Sequence, residues 1–456
     1  MKNAMAEFYP LLVAAADHVA TTASITSPVP FRLPEFDSRM RDFLGASDIS
    51  LSEAGTWRGH HLSLLDLMRN PGTRTCKTFA SLTLIARAVR HIQETGAKVM
   101  IITPTSGNKG TALRDAVSRA YAANLASVEN LRVVTVVPRS SRDKLRNGPL
   151  STDPSWRAAN PVLLMDVHRP DGVKAIARAA FEHLRADAAS LAGFTPWFTL
   201  DLDNYRVADT LRAAVEARLD PIVADSPPRV HAHAVSSAFG LLGYHLGHGM
   251  LNSGSFGSHL PVPFSHPGFL LVQQLATPDM VLSLIHGDVS RDHLPQYAFD
   301  EADGLWRQAG KEVDPHFPTL IDDVDERLDS TFYTSAPPTS PAINGLIAQH
   351  GGGGIVVSRR ECLLRYEDIQ ECIAATGNTL PDDPGTIREW SLVKAFTGVM
   401  MAIERGLIKP GTAVVVHGSG FYTDAILPPL SSEPSVIADS AVAIEYAMTQ
   451  AAKVVG

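Results

Sequence analysis

Lys98-Val99-Met100-Ile101-Ile102-Thr103, followed by Pro104-Thr105-Ser106-Gly107-Asn108-Lys109-Gly110, decides how this chain is read. The first six residues form an apolar run of strand length. The next seven are a polar turn punctuated by glycine, and residues 111–124 then read as a helix. Working outward, Phe79, Leu82, Ile85, Val89 and Ile92 recur at helical spacing from Lys77 to about Gly96, where glycine is a stop signal. On the other side, Leu131–Val137 is a second strand, closed by Pro138. Strand, helix, strand in this order implies a parallel sheet with covering helices.

The alternation continues. Strands are expected at 161–166, 230–235, 269–274 and 412–416, and helices at 171–187, 239–249 and 385–406. Gly406 and Pro410 end the last helix. Glycines 351–354 read as a flexible turn into the strand 355–357. Prolines 28, 30 and 34 mark extended structure, and residues 295–345 are polar and unordered by pattern. The fold class is α/β.

With 456 residues the chain can bury a sizeable core, and 45% hydrophobic with 19% charged residues is ordinary for a globular enzyme. A net charge of −8 argues against a nucleic-acid partner, because neutralising phosphate needs a basic surface. Cys76, Cys362 and Cys372 are too few and scattered for a disulfide framework and fit a reducing cytosol. The N-terminal apolar run is interrupted by Glu7 and Asp17, so it reads as a surface helix rather than a secretion signal. No stretch reaches the ~20 apolar residues of a membrane span. A cytoplasmic protein with no membrane partner is expected.

The chemistry is expected at three strand ends and one helix start. Lys77 follows Thr75-Cys76 and precedes Thr78-Phe79, small or apolar neighbours that disfavour a solvated lysine. An amine there could form an imine with a cofactor aldehyde, given a pKa lowered by partial burial near cations. In the turn 105–110, Gly107 and Gly110 let backbone approach a ligand. The amides at the following helix start would favour an anion such as a substrate carboxylate, and Asn108 can donate to a phenolate oxygen. Ser236-Ser237-Ala238-Phe239-Gly240, between strand and helix, suits a phosphate ester; an N-cap serine is the plain alternative. Ser419, after the strand 412–416, could face a pyridine nitrogen. Together these point to pyridoxal 5'-phosphate (PLP). His245 and His248 have ligand spacing on a helix, yet no Cys or carboxylate nearby completes a zinc set.

In order and spacing these stretches resemble the threonine synthase and serine dehydratase group of PLP enzymes, with the tryptophan synthase β fold. The resemblance covers roughly residues 50–425. Arg69-Asn70-Pro71 through Lys77 is similar to the family's lysine segment, and Ser106-Gly107-Asn108 to its asparagine loop. Asp203-Asn204-Tyr205-Arg206 is similar to its substrate-holding segment, and residues 391–424 to its closing helix, strand and hydroxyl turn. Four positions depart: Thr78 stands where a polar group such as Asp is usual, Lys109 follows the asparagine, and Ser236 and Ser237 replace glycines.

The resemblance implies two parallel-sheet-centred domains with PLP in the interdomain cleft. Residues 1–84 would join the large domain and carry Lys77 near their end. Residues 85–195 would form the smaller α/β domain, and 196–456 the large one. Lys77 is then the catalytic residue. Asn108, Ser236, Ser237, Ala238, Phe239, Gly240 and Ser419 join it in holding the cofactor. Thr105, Ser106, Gly107, Lys109 and Arg206 hold substrate, with Lys109 and Arg206 toward a leaving-group anion. The expected partner is a small amino acid, the expected assembly a homodimer, and no metal is expected. The chemistry implied is β- or γ-elimination or replacement on an O-activated amino acid, phosphohomoserine or phosphoserine by family expectation. A Ser/Thr dehydratase and a non-catalytic binding protein of the same fold are the rivals. Residues 1–50 or 295–345 could cover the cleft.

Overall fold

The computed structural model describes residues 1–22, 31–167, 172–199, 203–254, 259–310, 312–332, 334–431, 435–437 and 440–454. The helix Lys77–Thr95 buries Phe79, Leu82, Ile85, Val89 and Ile92, the stripe its spacing demands, and Gly96 at φ 68° closes it with a bond to the Ile92 carbonyl. Lys98–Pro104 is a strand buried along its whole length except at Lys98, and Leu131–Pro138 is buried throughout. Such continuous burial is what helices on both faces of a parallel sheet impose.

Two sheets result. One has five strands, all parallel, in the order Ser435–Ile437, Val162–Met165, Leu131–Pro138, Lys98–Pro104, Phe194–Phe198. The other has six, in the order Ser50–Trp57, His60–Asp66, Ala413–Gly418, Arg229–Ala234, Gly268–Gln274, Gly352–Val357. Only its first pair, a hairpin, is antiparallel.

Several expectations are corrected. Ser435–Ile437 pairs with Val162–Met165 in the smaller sheet, and the helix Ala441–Ala452 packs on the helix Gly172–Ala186, so the end of the segment 196–456 does not stay with the large sheet. Buried Arg132 fastens this return through the carbonyls of Ala451 and Val454. The helix expected from 385 starts at Ser391, because Ile387–Glu389 is a short strand paired with Tyr422–Thr423. Gly352, Gly353 and Gly354 are strand residues, in register with Phe269–Leu271. Tyr9–Thr22 is no surface helix: Leu11, Leu12, Ala15, Ala16 and Val19 are buried in the largest apolar cluster. Within 295–345, a small three-stranded antiparallel sheet is followed by a loop leading to the helix Ser340–His350. Among the described residues no helix is long and apolar enough to cross a membrane.

Candidate active site

The strands ending at Pro104, Ala234 and Gly418 lead into one cleft of about 180 Å³ between the two sheets, where α/β proteins place ligands. Lys77, Thr105, Ser106, Asn108, Lys109, Ser419 and the loop Ser236–Gly240 all line it. Gly107 and Arg206 do not. Gly107, at φ 125°, supports the loop from behind, where any side chain would strike Lys144. Arg206 turns away to pair with Asp203 at 3.0 Å and lines a different cavity beside His245. Its neighbour Tyr205 faces the cleft instead, its ring centroid 5.5 Å from Lys77 Nζ.

Lys77 is positioned by two loops. The Cys76 amide donates to the Ser419 carbonyl at 2.9 Å, joining the lysine turn to the hydroxyl turn. Thr78 Oγ1 meets Thr73 Oγ1 at 2.6 Å, donates to the Thr75 carbonyl, and accepts from Asn70 Nδ2 at 3.2 Å. Thr78 therefore ties the Asn70-Pro71 segment to the helix start. Burial pulls the Lys77 pKa down, but Cys76, Tyr205 and Asp209 outweigh it, and the net direction is upward. The expected lowering is thus not found: acidic groups, rather than cations alone, surround the amine.

On the small-sheet wall, Thr105 Oγ1 accepts from the amides of Gly107 and Gly110, each at 3.0 Å. Asn108 is oriented from both ends of its amide: Nδ2 donates to Glu389 Oε2, and Oδ1 accepts from the Tyr422 hydroxyl at 2.7 Å. A second N–H on Nδ2 remains for a ligand. Glu389 is buried and belongs to a network with Lys144 and Asp329, whose carboxylate lies 2.8 Å from Lys144 Nζ. Burial and Asp329 push the Glu389 pKa up; burial also opposes Asp329, yet Lys144 and the Trp390 and Thr331 amides hold that group below its usual range. Lys109 Nζ donates to Thr199 Oγ1 at 3.1 Å. Burial, then Lys174 and Lys77, bring its pKa down to about 7.

The large-sheet wall is the start of the 15-residue helix Phe239–Ser253. Its N-cap, Ala238, sits at φ 50° and supplies no side-chain cap, a backbone state unusual outside glycine and frequent at functional turns. Gly240 rests on the guanidinium of Arg212, and a side chain at 240 would collide with it. Arg212 is buried and aimed by two partners, Asp209 Oδ1 at 2.8 Å and His417 Nδ1 at 2.8 Å. The donating guanidinium makes His417 Nδ1 an acceptor, so His417 Nε2 donates to His231 Nδ1 at 2.8 Å and His231 Nε2 to Glu216 at 3.1 Å. A chain of oriented buried groups thus fixes one cation beneath the turn.

Thr331, Phe332 and Thr334 also line the cleft. Gln274 Nε2 donates to the carbonyls of Asp329 and Phe332, Ser106 Oγ to the Thr331 carbonyl, and Ser236 Oγ to Thr334 Oγ1 at 3.0 Å. These residues touch both walls. Glu389, Asp329, Lys144 and Arg212 were missed from sequence, since Glu389, Asp329 and Lys144 meet one another or Asn108 far along the chain, and Arg212, paired locally with Asp209, is aimed also by distant His417.

The donor set fits PLP. Ser419 Oγ is buried with no hydrogen-bond partner among the described residues, which is where a pyridine nitrogen would be met. An uncapped helix start above Arg212 suits a phosphate ester. His233 Nδ1, also in the cleft wall, is likewise buried without a partner; burial, then Arg212, Lys77 and Lys394, hold this imidazole neutral.

The architecture is that of the tryptophan synthase β class. Solved threonine synthases share it: that of yeast (12% identity, TM-score 0.56, covering 99% of this chain and 91% of that one), that of Escherichia coli (14%, 0.54, 98% and 96%) and the PLP-bound enzyme of Brucella melitensis (13%, 0.54, 97% and 89%). At these identities the likeness is one of fold. The chain itself belongs to the family described as "Family of unknown function (DUF6002)", matched over residues 1–452. No curated protein matches its sequence.

Proposed function

We propose that this protein is a PLP-dependent enzyme of elimination or replacement at Cβ or Cγ of an amino acid carrying an activated, anionic oxygen substituent. One observation carries the reading: a single cleft gathers Lys77, Asn108, the Ser236–Gly240 helix start over Arg212, and the unpartnered hydroxyl of Ser419.

Lys77 would attach the cofactor, with the Ser236–Gly240 amides and Arg212 on its phosphate, Ser419 toward its ring nitrogen and Asn108 toward its phenolic oxygen. PLP bound there supplies an electron sink for charge developing at the substrate Cα. The Lys77 amine moves the proton at that carbon. The neutral Ser419 hydroxyl does not keep the ring nitrogen protonated, and elimination chemistry tolerates this. Lys109, with its pKa near 7, and Lys174 line the same cleft. They supply cations for a departing phosphate, which favours an anionic substrate over plain serine or threonine. The homodimer implied by the resemblance and the cytoplasmic location expected from the cysteine usage belong to the same proposal.

The test is the visible spectrum of the purified protein with PLP, before and after borohydride, with peptide mapping. The expected result is a reducible band fixed to Lys77, its loss in Lys77→Ala, and inorganic phosphate release from O-phosphohomoserine or O-phosphoserine. Keto acid release from unphosphorylated serine or threonine would favour a dehydratase. No band and no adduct would leave a binding protein of the same fold.

A further inference from the structure

Six residues beyond Phe239, the helix start that faces the cleft, the same helix presents His245 to two histidines from elsewhere in the chain. His266 comes from the loop before the strand Gly268–Gln274, and His350 is the last residue of the helix Ser340–His350. One ring nitrogen from each of the three lies within 4.8 Å of the others. His245 Nδ1 is 3.0 Å from His266 Nε2, and the rings of His266 and His350 are 4.0 Å apart. None of the three lines the cleft.

The protonation pattern suits metal ligation. His266 Nδ1 donates to the Pro267 carbonyl at 2.7 Å, since a carbonyl only accepts, and this leaves Nε2 as the lone-pair nitrogen facing His245. A backbone carbonyl holding the far nitrogen is the usual support of a ligating histidine. Neutral imidazoles are the form that binds an ion. His248, paired with His245 by sequence spacing, is not a ligand in this arrangement. Its Nε2 donates to the Ser265 carbonyl and its Nδ1 accepts from Asn252, both at 3.2 Å. Its ring lies 4.6 Å from that of His266 and makes no hydrogen bond to it among the described residues.

We propose that His245, His266 and His350 bind one divalent ion of the imidazole-seeking transition series (zinc, cobalt, nickel or copper) with a fourth position for water. The ion would pin the loop 259–267 and the end of the helix Ser340–His350 to the helix whose first turn faces the cleft. Local sequence offers His245 only His248 and no Cys or carboxylate; its partners here are two distant histidines.

The experiment is a titration of the chelator-treated full chain with Co²⁺, read by visible absorption, with melting temperature read against Zn²⁺. The expected result is one equivalent of tetrahedral-type Co²⁺ and a melting temperature raised by Zn²⁺. His350→Gln, at a helix end and half-buried, should weaken Co²⁺ at least about tenfold, the loss seen even for residues that only orient a ligand. His266→Gln should do the same, and His248→Gln should bind as the parent does. No Co²⁺ uptake, or equal affinity in the parent and His350→Gln, overturns the site. A loss in His248→Gln matching that in His350→Gln would overturn the ligand assignment. Should His266→Gln fail to fold, His350→Gln decides alone.

Discussion

The two walls of the cleft are built on one plan and equipped differently. Each is a parallel strand, a short turn and the first turn of a helix. On the small-sheet wall, Thr105 takes up two of the turn's amides, and Asn108 is held by Glu389 and Tyr422. That wall is organised to present side chains. On the large-sheet wall, Ala238 gives no cap and Arg212 lies under Gly240. That wall is organised to receive an anion. The difference teaches that, on the proposed function, serines in place of a glycine-rich turn are compatible with phosphate binding, because a buried cation can stand behind a tighter turn.

The largest effect should come from breaking the anion wall. Arg212→Met leaves Asp209 buried without its cation, and a broken buried pair costs about 3–5 kcal/mol, measurable by urea denaturation. A loss below about 1 kcal/mol, the range of exposed pairs, would show that the guanidinium does not organise this wall. Next, Glu389→Gln removes the carboxylate that Asn108, Ser391 and Lys144 address. Hydrogen bonds to a charged group contribute about 1.5–3 kcal/mol, and that loss should accompany a shifted cofactor band. Unchanged stability and spectrum together would mean that Asn108 needs no positioning.

Lys109 sharpens the contrast through pH. Its folded pKa near 7 lies below the roughly 10.4 of a free lysine. Below pH 7 both folded and unfolded chains carry the proton, and the penalty of the buried charge is fully present. Between these values the unfolded chain holds a proton that the folded chain has lost, so stability rises with pH, by at most about 1.4 kcal/mol per unit. Lys109→Met should flatten that part of the stability profile; an unchanged profile would place the lysine in solvent. The smallest effect on stability belongs to Ser419→Ala. Its hydroxyl has no hydrogen-bond partner among the described residues, so denaturation should move by less than about 0.5 kcal/mol while PLP retention falls. A large stability loss with PLP retention intact would assign the hydroxyl to the fold.

What was legible in the sequence was local. The helix from Lys77, the strand 98–103, the turn and the strand to Pro138 are each marked by periodicity and punctuated by Gly96, Gly107 or Pro138. Lys77, Asn108 and the 236–240 turn lie at the ends of such segments, which is why their meeting could be expected. What was not legible depends on distance. The Arg212–His417 contact spans 205 positions and Asn108–Glu389 spans 281, and neither leaves a local pattern. Ile387–Glu389 runs without a break signal toward the helix from Ser391, so one continuous helix was the natural reading. Arg206 was expected in the site because Asp203–Arg206, which falls in the short helix Asp203–Ala208, resembles a substrate segment. Helical geometry then put Tyr205 on the cleft side and Arg206 on the other.

The return of Ser435–Ile437 to the smaller sheet bears on the order of synthesis. Arg132 is made early, yet its carbonyl partner at Ala451 lies 319 positions later. Until then the strand Val162–Met165 presents an unpaired apolar edge, the kind that templates wrong pairings. The smaller sheet, four of whose strands are made by residue 198, is therefore completed only once residue 437 is made, and a nascent chain would need its own partner strand, or a chaperone, to guard that edge meanwhile.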